Sequence, residues 1–265
     1  MQEPADLKGL MNNSARDTGG NLDLSTPNHN GRFPRILLFD VDGTLINAVR
    51  RREYRGLVRD KLQQIFGTCG RLDQVDFAGK TDLAIYHEAL EVEGITIEMI
   101  RDRIPDIEAG MAEVLASMAA SGDVFEVCSG VRELLEVLTT DNRFITSLLT
   151  GNLEKLAEAK LRLAGIWQYF GSRGAFGDDH PERDQLPAIA AARFSKQLGE
   201  QLAPDRFVVI GDTPRDISCA RYFGARVLAV ASGRHSVQDL ESLGPDAVLP
   251  ALSDTLKVVE LLERI

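Results

Sequence analysis

Two hydrophobic periodicities divide this chain. After Pro34, short apolar runs alternate with longer stretches in which apolar residues recur every three or four positions. The runs 35–39, 145–149, 173–176, 206–210, 226–230 and 247–249 read as strands, because a strand buried on both faces is apolar at nearly every position. The segments 131–138, 153–163, 186–198, 215–223 and 252–265 read as amphipathic helices; Leu153, Leu156, Ala157, Leu161 and Ala164, for example, share one helical stripe. Strands that alternate with helices predict an α/β fold, a doubly wound, Rossmann-like parallel sheet covered on both faces. Ligands of such sheets sit beyond the carboxyl ends of the strands.

The strand pattern disappears between about 47 and 123, where 51–66, 82–92 and 96–120 are helix-like. An all-helical insertion is therefore expected directly after the first strand. Residues 1–32 hold Asn, Ser, Gly, Asp and Pro around isolated apolar positions, too few to offset the ordering of the chain. The organisation expected is a flexible tail (1–32), a core formed by 33–47 and 124–265, and a helical insertion (48–123).

With 44% hydrophobic and 26% charged residues among 265, the composition is that of an ordinary globular protein. A net charge of −10 argues against general nucleic-acid binding, which needs Lys and Arg to neutralise phosphates. The longest apolar runs, such as 227–231, fall short of the roughly 20 residues of a membrane helix. The N-terminal stretch lacks a basic start and an apolar segment, so a cytoplasmic protein with no membrane partner is expected. Cys69, Cys128 and Cys219 are scattered, which favours small buried side chains over a disulfide framework or zinc site. The cluster Arg50 to Arg52, with Arg55 and Arg59, reads as a solvated helix face carrying local positive charge.

Chemistry concentrates in loops after the strands. Asp40 and Asp42 follow the first strand and lie on one side if the extended path continues. An ionised aspartate can attack phosphorus while a neighbour handles protons; the alternative is a turn rich in Asp and Gly. Thr150, Gly151 and Asn152 combine a hydroxyl, a flexible glycine and a helix start, where backbone amides bind anions, although Asn152 could simply cap the helix from Leu153. In the run from Gly211 to Asp216, Asp212 and Asp216 offer hard oxygens suited to magnesium. Asp216 also fits a capping role, with Thr213 as N-cap and Pro214 as first helical residue. Asp212, at the buried end of a strand, should be paired or coordinated. Arg183, in the loop 177–184, could neutralise a phosphate; His180 reads as surface.

The order of these elements resembles the haloacid dehalogenase (HAD) superfamily, in particular its phosphoglycolate phosphatase-like hydrolases. Asp40 to Leu45 is similar to its first motif, Thr150 to its second and Gly211 to Asp216 to its fourth, and the resemblance spans 35–265. It implies a HAD core with a mobile helical cap. It further implies Asp40 as the nucleophile that forms an aspartyl-phosphate and Asp42 as general acid and base, with its pKa raised by burial and by its neighbour. Thr150, Gly151 and Asn152 would hold phosphate. Mg2+ would be bound by Asp40, the Asp42 carbonyl and Asp212, with Asp216 in support. The third motif departs from the pattern: the family commonly has Lys-Pro where Arg183 and Asp184 stand, so Lys160 and Lys196 are alternatives. Lys80 and Thr81, in the loop 79–82, are similar to a substrate-contacting cap loop, though Thr81 also reads as a helix cap. The implied function is a magnesium-dependent phosphatase acting on a small phosphorylated metabolite, phosphoglycolate or a sugar phosphate-like ester. A phosphomutase of the same superfamily and a phosphate-binding regulatory protein are the alternatives.

Overall fold

The computed structural model describes residues 34–170 and 174–265; the tail expected over 1–32 lies outside them. Five parallel strands form one sheet. They are β1 (Arg35–Phe39), β4 (Phe144–Leu148), β5 (Phe207–Gly211), β6 (Arg226–Val230) and β7 (Ala247–Leu249), in the order β4-β1-β5-β6-β7. The period of two in a strand shows directly in the packing. Leu37, Phe39, Val208, Ile210, Leu228 and Val230 feed one apolar cluster. Their chain neighbours, including Ile36, Leu38, Val209 and Ala229, feed a second cluster. Burial on both faces explains why the strands lack polar alternation.

Helices cover both sides. The first cluster takes in Leu134 and Leu138 of α5 (Val131–Thr140), Leu156 and Leu161 of α6 (Glu154–Leu163), and Val258 and Leu262 of α10 (Thr255–Arg264). The second takes in Ala190 and Phe194 of α7 (Leu186–Leu198), Ile217 and Ala220 of α8 (Pro214–Phe223), and Leu240 of the short α9 (Val237–Ser242), a helix the periodicity did not predict.

The insertion is helical, as expected: α1 (Arg51–Phe66), α2 (Asp82–Leu90), α3 (Ile97–Asp102) and α4 (Ile104–Ala120). The single helix expected over 96–120 is broken at Arg103. Pro105 in the first turn of α4 cannot continue a preceding helix but is pre-set for starting one. Apolar residues of the insertion, such as Leu62, Leu83 and Met111, join the same cluster as Leu37 of the sheet.

Three other differences from the sequence pattern matter. Of the strand expected at 173–176, residue 173 is outside the described residues, and the remainder makes only an isolated bridge between Leu149 and Ala175. Two strands went unpredicted, β2 (Ile46–Ala48) and β3 (Phe125–Val127), an antiparallel pair. Each has three residues, so their stability comes from pairing with each other, a contact that local periodicity does not carry. They mark where the chain enters and leaves the helical insertion.

Candidate active site

Asp40 sits just beyond β1, its backbone N–H donating to the carbonyl of Ile210 (2.9 Å) and its side chain 6% exposed. The chain then turns through Gly43, whose φ of +91° disfavours any side chain. A Cβ there would fall 2.5 Å from Oδ2 of Asp212, so the glycine also lets the first loop close on the loop after β5. Asp40, Asp212 and Asp216 consequently gather, each with a carboxylate oxygen within 4.8 Å of the others.

One cation stands among them. Arg183, buried, places Nη2 3.1 Å from Oδ1 of Asp40 and also pairs with Asp216. Three carboxylates against one guanidinium leave negative charge in excess. Burial pushes the Asp40 carboxyl up to about 6, against the pull of Arg183 and with the repulsion of Asp216 and Asp42. Burial and the neighbouring Asp40 and Asp216 carboxylates push Asp212 to about 8. Hard, buried, crowded oxygens fit a divalent cation, whose charge would reverse these shifts. The oxygens of Asp216 are already engaged: Oδ2 accepts from Thr213 N (2.9 Å) and Thr213 Oγ1 (2.7 Å), and Oδ1 meets Arg183. Asp216 thus closes the capping box of α8 and anchors the arginine. Asp212 accepts from Thr44 Oγ1 at 3.3 Å and is the freer ligand.

Asp42 belongs to a different group. Its side chain is 45% exposed, and its Oδ2 accepts from Lys160 Nζ (2.7 Å) and Asn152 Nδ2 (2.8 Å). Lys160 is buried and also donates to Asn152 Oδ1 (2.6 Å). The elevated pKa expected for Asp42 is not found. Desolvation pushes it up, but the Lys160 ammonium and the hydrogen bonds from Lys160 and Asn152 outweigh that and hold it below its ordinary value. Nor is its carboxylate part of the Asp40–Asp212–Asp216 cluster.

The insertion closes over these groups. Asp82 N donates to the Gly151 carbonyl (2.6 Å), and the Asp82 carboxylate accepts from Leu153 N (2.9 Å) at the start of α6. Arg215 Nε reaches the Ala78 carbonyl (3.2 Å). Between insertion and sheet lies a cavity of about 280 Å³ that Asp40, Asp42, Thr150, Lys160, Arg183 and Asp212 all line.

The family described as haloacid dehalogenase-like hydrolase matches residues 37–221, most of this chain. The chain belongs to that family. Over 230 residues it is 26% identical to phosphoglycolate phosphatase 1 of Pseudomonas aeruginosa, covering 85% of this chain and 79% of the relative. It is 27% identical over 229 residues to a phosphoglycolate phosphatase of Vibrio parahaemolyticus, covering 85% and 96%. A HAD hydrolase from Entamoeba histolytica shares the fold with a TM-score of 0.60 at 20% identity, covering 87% of this chain and all of the other. A hydrolase from Pseudomonas syringae does so with a TM-score of 0.57 at 20% identity, covering 85% and 98%.

In this HAD hydrolase, then, the sequence candidates fall into three sets. Asp40, Asp212, Asp216 and Arg183 form the acidic centre; Asp42, Thr150 and Asn152 form a second group joined through Asn152 Nδ2, which also donates to Thr150 Oγ1 (2.9 Å). Asn152 does not cap α6. The leading amides of that helix go to Asp82 and Asp178, and Asn152 N turns to Thr150 Oγ1 (3.3 Å). In the cap loop, Lys80 lines the cavity and pairs with Glu88. Thr81 does not line it. Its hydroxyl accepts from Ala84 N (3.1 Å) and donates to the Pro181 carbonyl (2.6 Å), so it is spent on capping α2 and docking the loop.

Of the three basic candidates, Lys196 is exposed on α7 and outside the site, while Arg183 and Lys160 are both buried in it. The place of Lys160 has a signal in the sequence: position 160 falls on the apolar stripe of α6, four residues after Leu156 and three after Ala157. Tyr54 and Tyr86, which also line the cavity, were missed altogether. No helix among the described residues is long and apolar enough to cross a membrane.

Proposed function

We propose that this chain is a magnesium-dependent phosphatase that hydrolyses a small phosphomonoester through a phosphorylated Asp40. The observation that carries this reading is the division of labour between two carboxylates lining one cavity: Asp40 beside Arg183, Asp42 beside Lys160 and Asn152. The Asp40 carboxylate attacks phosphorus and the bond from phosphorus to the alcohol oxygen breaks. Asp42, protonated, supplies the proton that the leaving oxygen takes. Water then attacks the aspartyl-phosphate, Asp42 removes its proton, and inorganic phosphate leaves with Asp40 restored.

Lys160 favours the carboxylate form of Asp42, the form the second step uses. A phosphoryl dianion arriving beside Asp42 adds negative charge and raises its proton affinity for the first. Thr150 offers its hydroxyl to the phosphoryl oxygens, with Gly151 and Asn152 shaping the loop around them. Asp40 and Asp212, with Asp216 behind them and the Asp42 carbonyl nearby in the chain, would hold Mg2+, which when bound neutralises charge on the phosphoryl group.

Residues 48–123 act as a cap joined to the core (33–47 and 124–265) by the β2–β3 ribbon. A cavity of about 280 Å³ lies at the small end of ligand sites, which run to roughly 1,000 Å³, and favours a metabolite over a protein substrate. Similarity to phosphoglycolate phosphatases supports the ester class. A phosphomutase would use the same residues and differ in returning the phosphoryl group to a sugar, and a regulatory phosphate-binding protein would have no use for the Asp42–Lys160 pair. The test is release of phosphate from p-nitrophenyl phosphate. Magnesium should be required, EDTA should abolish the reaction, and Asp40→Asn should remove it; turnover that ignores either change would overturn the reading.

A further inference from the structure

The cap side of the cavity carries polar groups that the proposed chemistry leaves unused. Tyr86 of α2 is only 3% exposed and lines the cavity, yet its hydroxyl has no hydrogen-bond partner among the described residues. Tyr54 of α1 lines the same wall, and its hydroxyl is likewise without a partner among them. Neither hydroxyl is among the buried atoms left unpartnered, so both open on the cavity, where they are free to hydrogen-bond a ligand. Burial pushes the Tyr54 phenol up to about 12 and that of Tyr86 well above its ordinary value, so both stay protonated and able to donate as well as accept.

A carboxylate completes the set. Asp82, also lining the cavity, commits carboxylate Oδ2 to Leu153 N, and its side chain makes no other hydrogen bond among the described residues. Its charge is felt by both tyrosines, which places the three groups in one neighbourhood. The position of that neighbourhood relative to the chemistry is fixed by Lys160: its Nζ lies 5.6 Å from the centre of the Tyr54 ring and 2.7 Å from Asp42 Oδ2. Tyr54, Tyr86 and Asp82 thus line the same cavity as Asp42, on the side where a departing alcohol would lie.

We infer that this alcohol is polyhydroxylated, a sugar-type phosphate whose hydroxyl groups are read by Tyr54, Tyr86 and Asp82; the inference rests on the phosphatase reading above. Hydroxyls can donate to the free Asp82 oxygen and both donate to and accept from the two phenols, which satisfies all three groups at once. A leaving group ending in a carboxylate matches this wall poorly, since Asp82 repels it and the nearby Lys160 ammonium is already held by Asp42 and Asn152. Arg51, another cavity-lining cation that could rescue such an acid, is exposed, and its charge already bears on Asp42. Phosphoglycolate is accordingly the substrate to compare.

The test measures kcat/KM with magnesium for pentose and hexose phosphates, phosphoglycolate and p-nitrophenyl phosphate, in the wild type, Tyr86→Phe and Tyr54→Phe. At least one sugar phosphate should exceed phosphoglycolate by about tenfold or more. One lost hydrogen bond to a neutral group corresponds to roughly a two- to tenfold change, so each variant should lose that much more on the best sugar phosphate than on p-nitrophenyl phosphate, which has no hydroxyls to read. A Tyr→Phe change removes one oxygen atom, and matching melting transitions would show the fold retained; should Tyr86→Phe fail to fold, Tyr54→Phe carries the same comparison. Phosphoglycolate outperforming every sugar phosphate, or equal losses on both kinds of ester, would overturn the inference and leave the phosphatase standing. Failure to hydrolyse any ester, p-nitrophenyl phosphate included, would overturn both.

Discussion

The ammonium of Lys160 lies 2.7 Å from Oδ2 of Asp42, at the end of a side chain buried on α6. The pair gives Asp42 a cation of its own, just as Arg183 is given to Asp40. The two carboxylates, two residues apart, nonetheless show opposite tendencies: burial pushes Asp40 up to about 6 against the pull of Arg183, while Lys160 holds Asp42 below its ordinary value.

Removing the Lys160 charge should raise the pKa of Asp42. In Lys160→Met the limb of the pH–rate profile that reports Asp42 should move to higher pH and kcat should fall. Asp42→Asn, which removes the proton-transfer group itself, should cost roughly 10²–10⁴-fold in kcat. Profiles measured on p-nitrophenyl phosphate check both, and an unmoved limb in Lys160→Met would separate Lys160 from proton transfer.

Arg183 bridges Asp40 and Asp216 while buried, so Arg183→Met leaves two carboxylates facing each other without their counter-charge. Breaking a buried ion pair from one side typically costs about 3–5 kcal/mol. Urea unfolding in EDTA should show a loss of that order, and a loss under about 1 kcal/mol would mean the arginine is not a structural keystone. Arg183→Lys should recover little, since a point charge cannot serve both carboxylates as the planar fork does.

The acidic centre should also make stability without metal depend on pH. Asp40 and Asp212 have folded values of about 6 and about 8 against an ordinary 3.8. A raised carboxyl means the folded state binds protons more tightly than the unfolded one, so the penalty is absent below about 4 and complete above about 8. In EDTA the melting temperature should therefore fall across that window. Asp212→Asn should flatten the fall, and added magnesium should raise the melting temperature more at pH 8 than at pH 5. An Asp212→Asn protein with an unchanged slope would contradict the assignment.

Gly233 stands where the loop after β6 passes the acidic centre, and a Cβ there would sit 1.7 Å from Oδ2 of Asp212. Gly233→Ala must displace that carboxylate. Calorimetric titration with magnesium should show binding weakened about tenfold or more at an unchanged circular dichroism spectrum; unaltered affinity would remove Asp212 from the ligand set.

Sequence legibility followed how local each feature is. Asp40, Thr150 and Asp212 end strands whose apolar runs are unmistakable, so the loops carrying them could be placed before any tertiary contact was known. The helical insertion was legible for the same reason, as an interruption of the strand pattern. Lys160, Tyr54 and Tyr86 reach the cavity from helix faces, and only packing reveals which face turns inward. Lysine in an amphipathic helix usually reads as surface, and tyrosine in an insertion as core. The roles of Thr81 and Asn152 stayed ambiguous because a hydroxyl or amide at a helix start serves capping, docking and ligand binding equally well until its partners are known.

The central claim is that the phosphoryl group passes through Asp40. The most direct measurement is to quench a reacting mixture, trap acyl phosphate by borohydride reduction and locate the reduced residue by peptide mass spectrometry. The account predicts reduction at Asp40 in the wild type and none in Asp40→Asn. Steady hydrolysis with no trapped Asp40, or trapping at Asp42 or Asp212 instead, would contradict it.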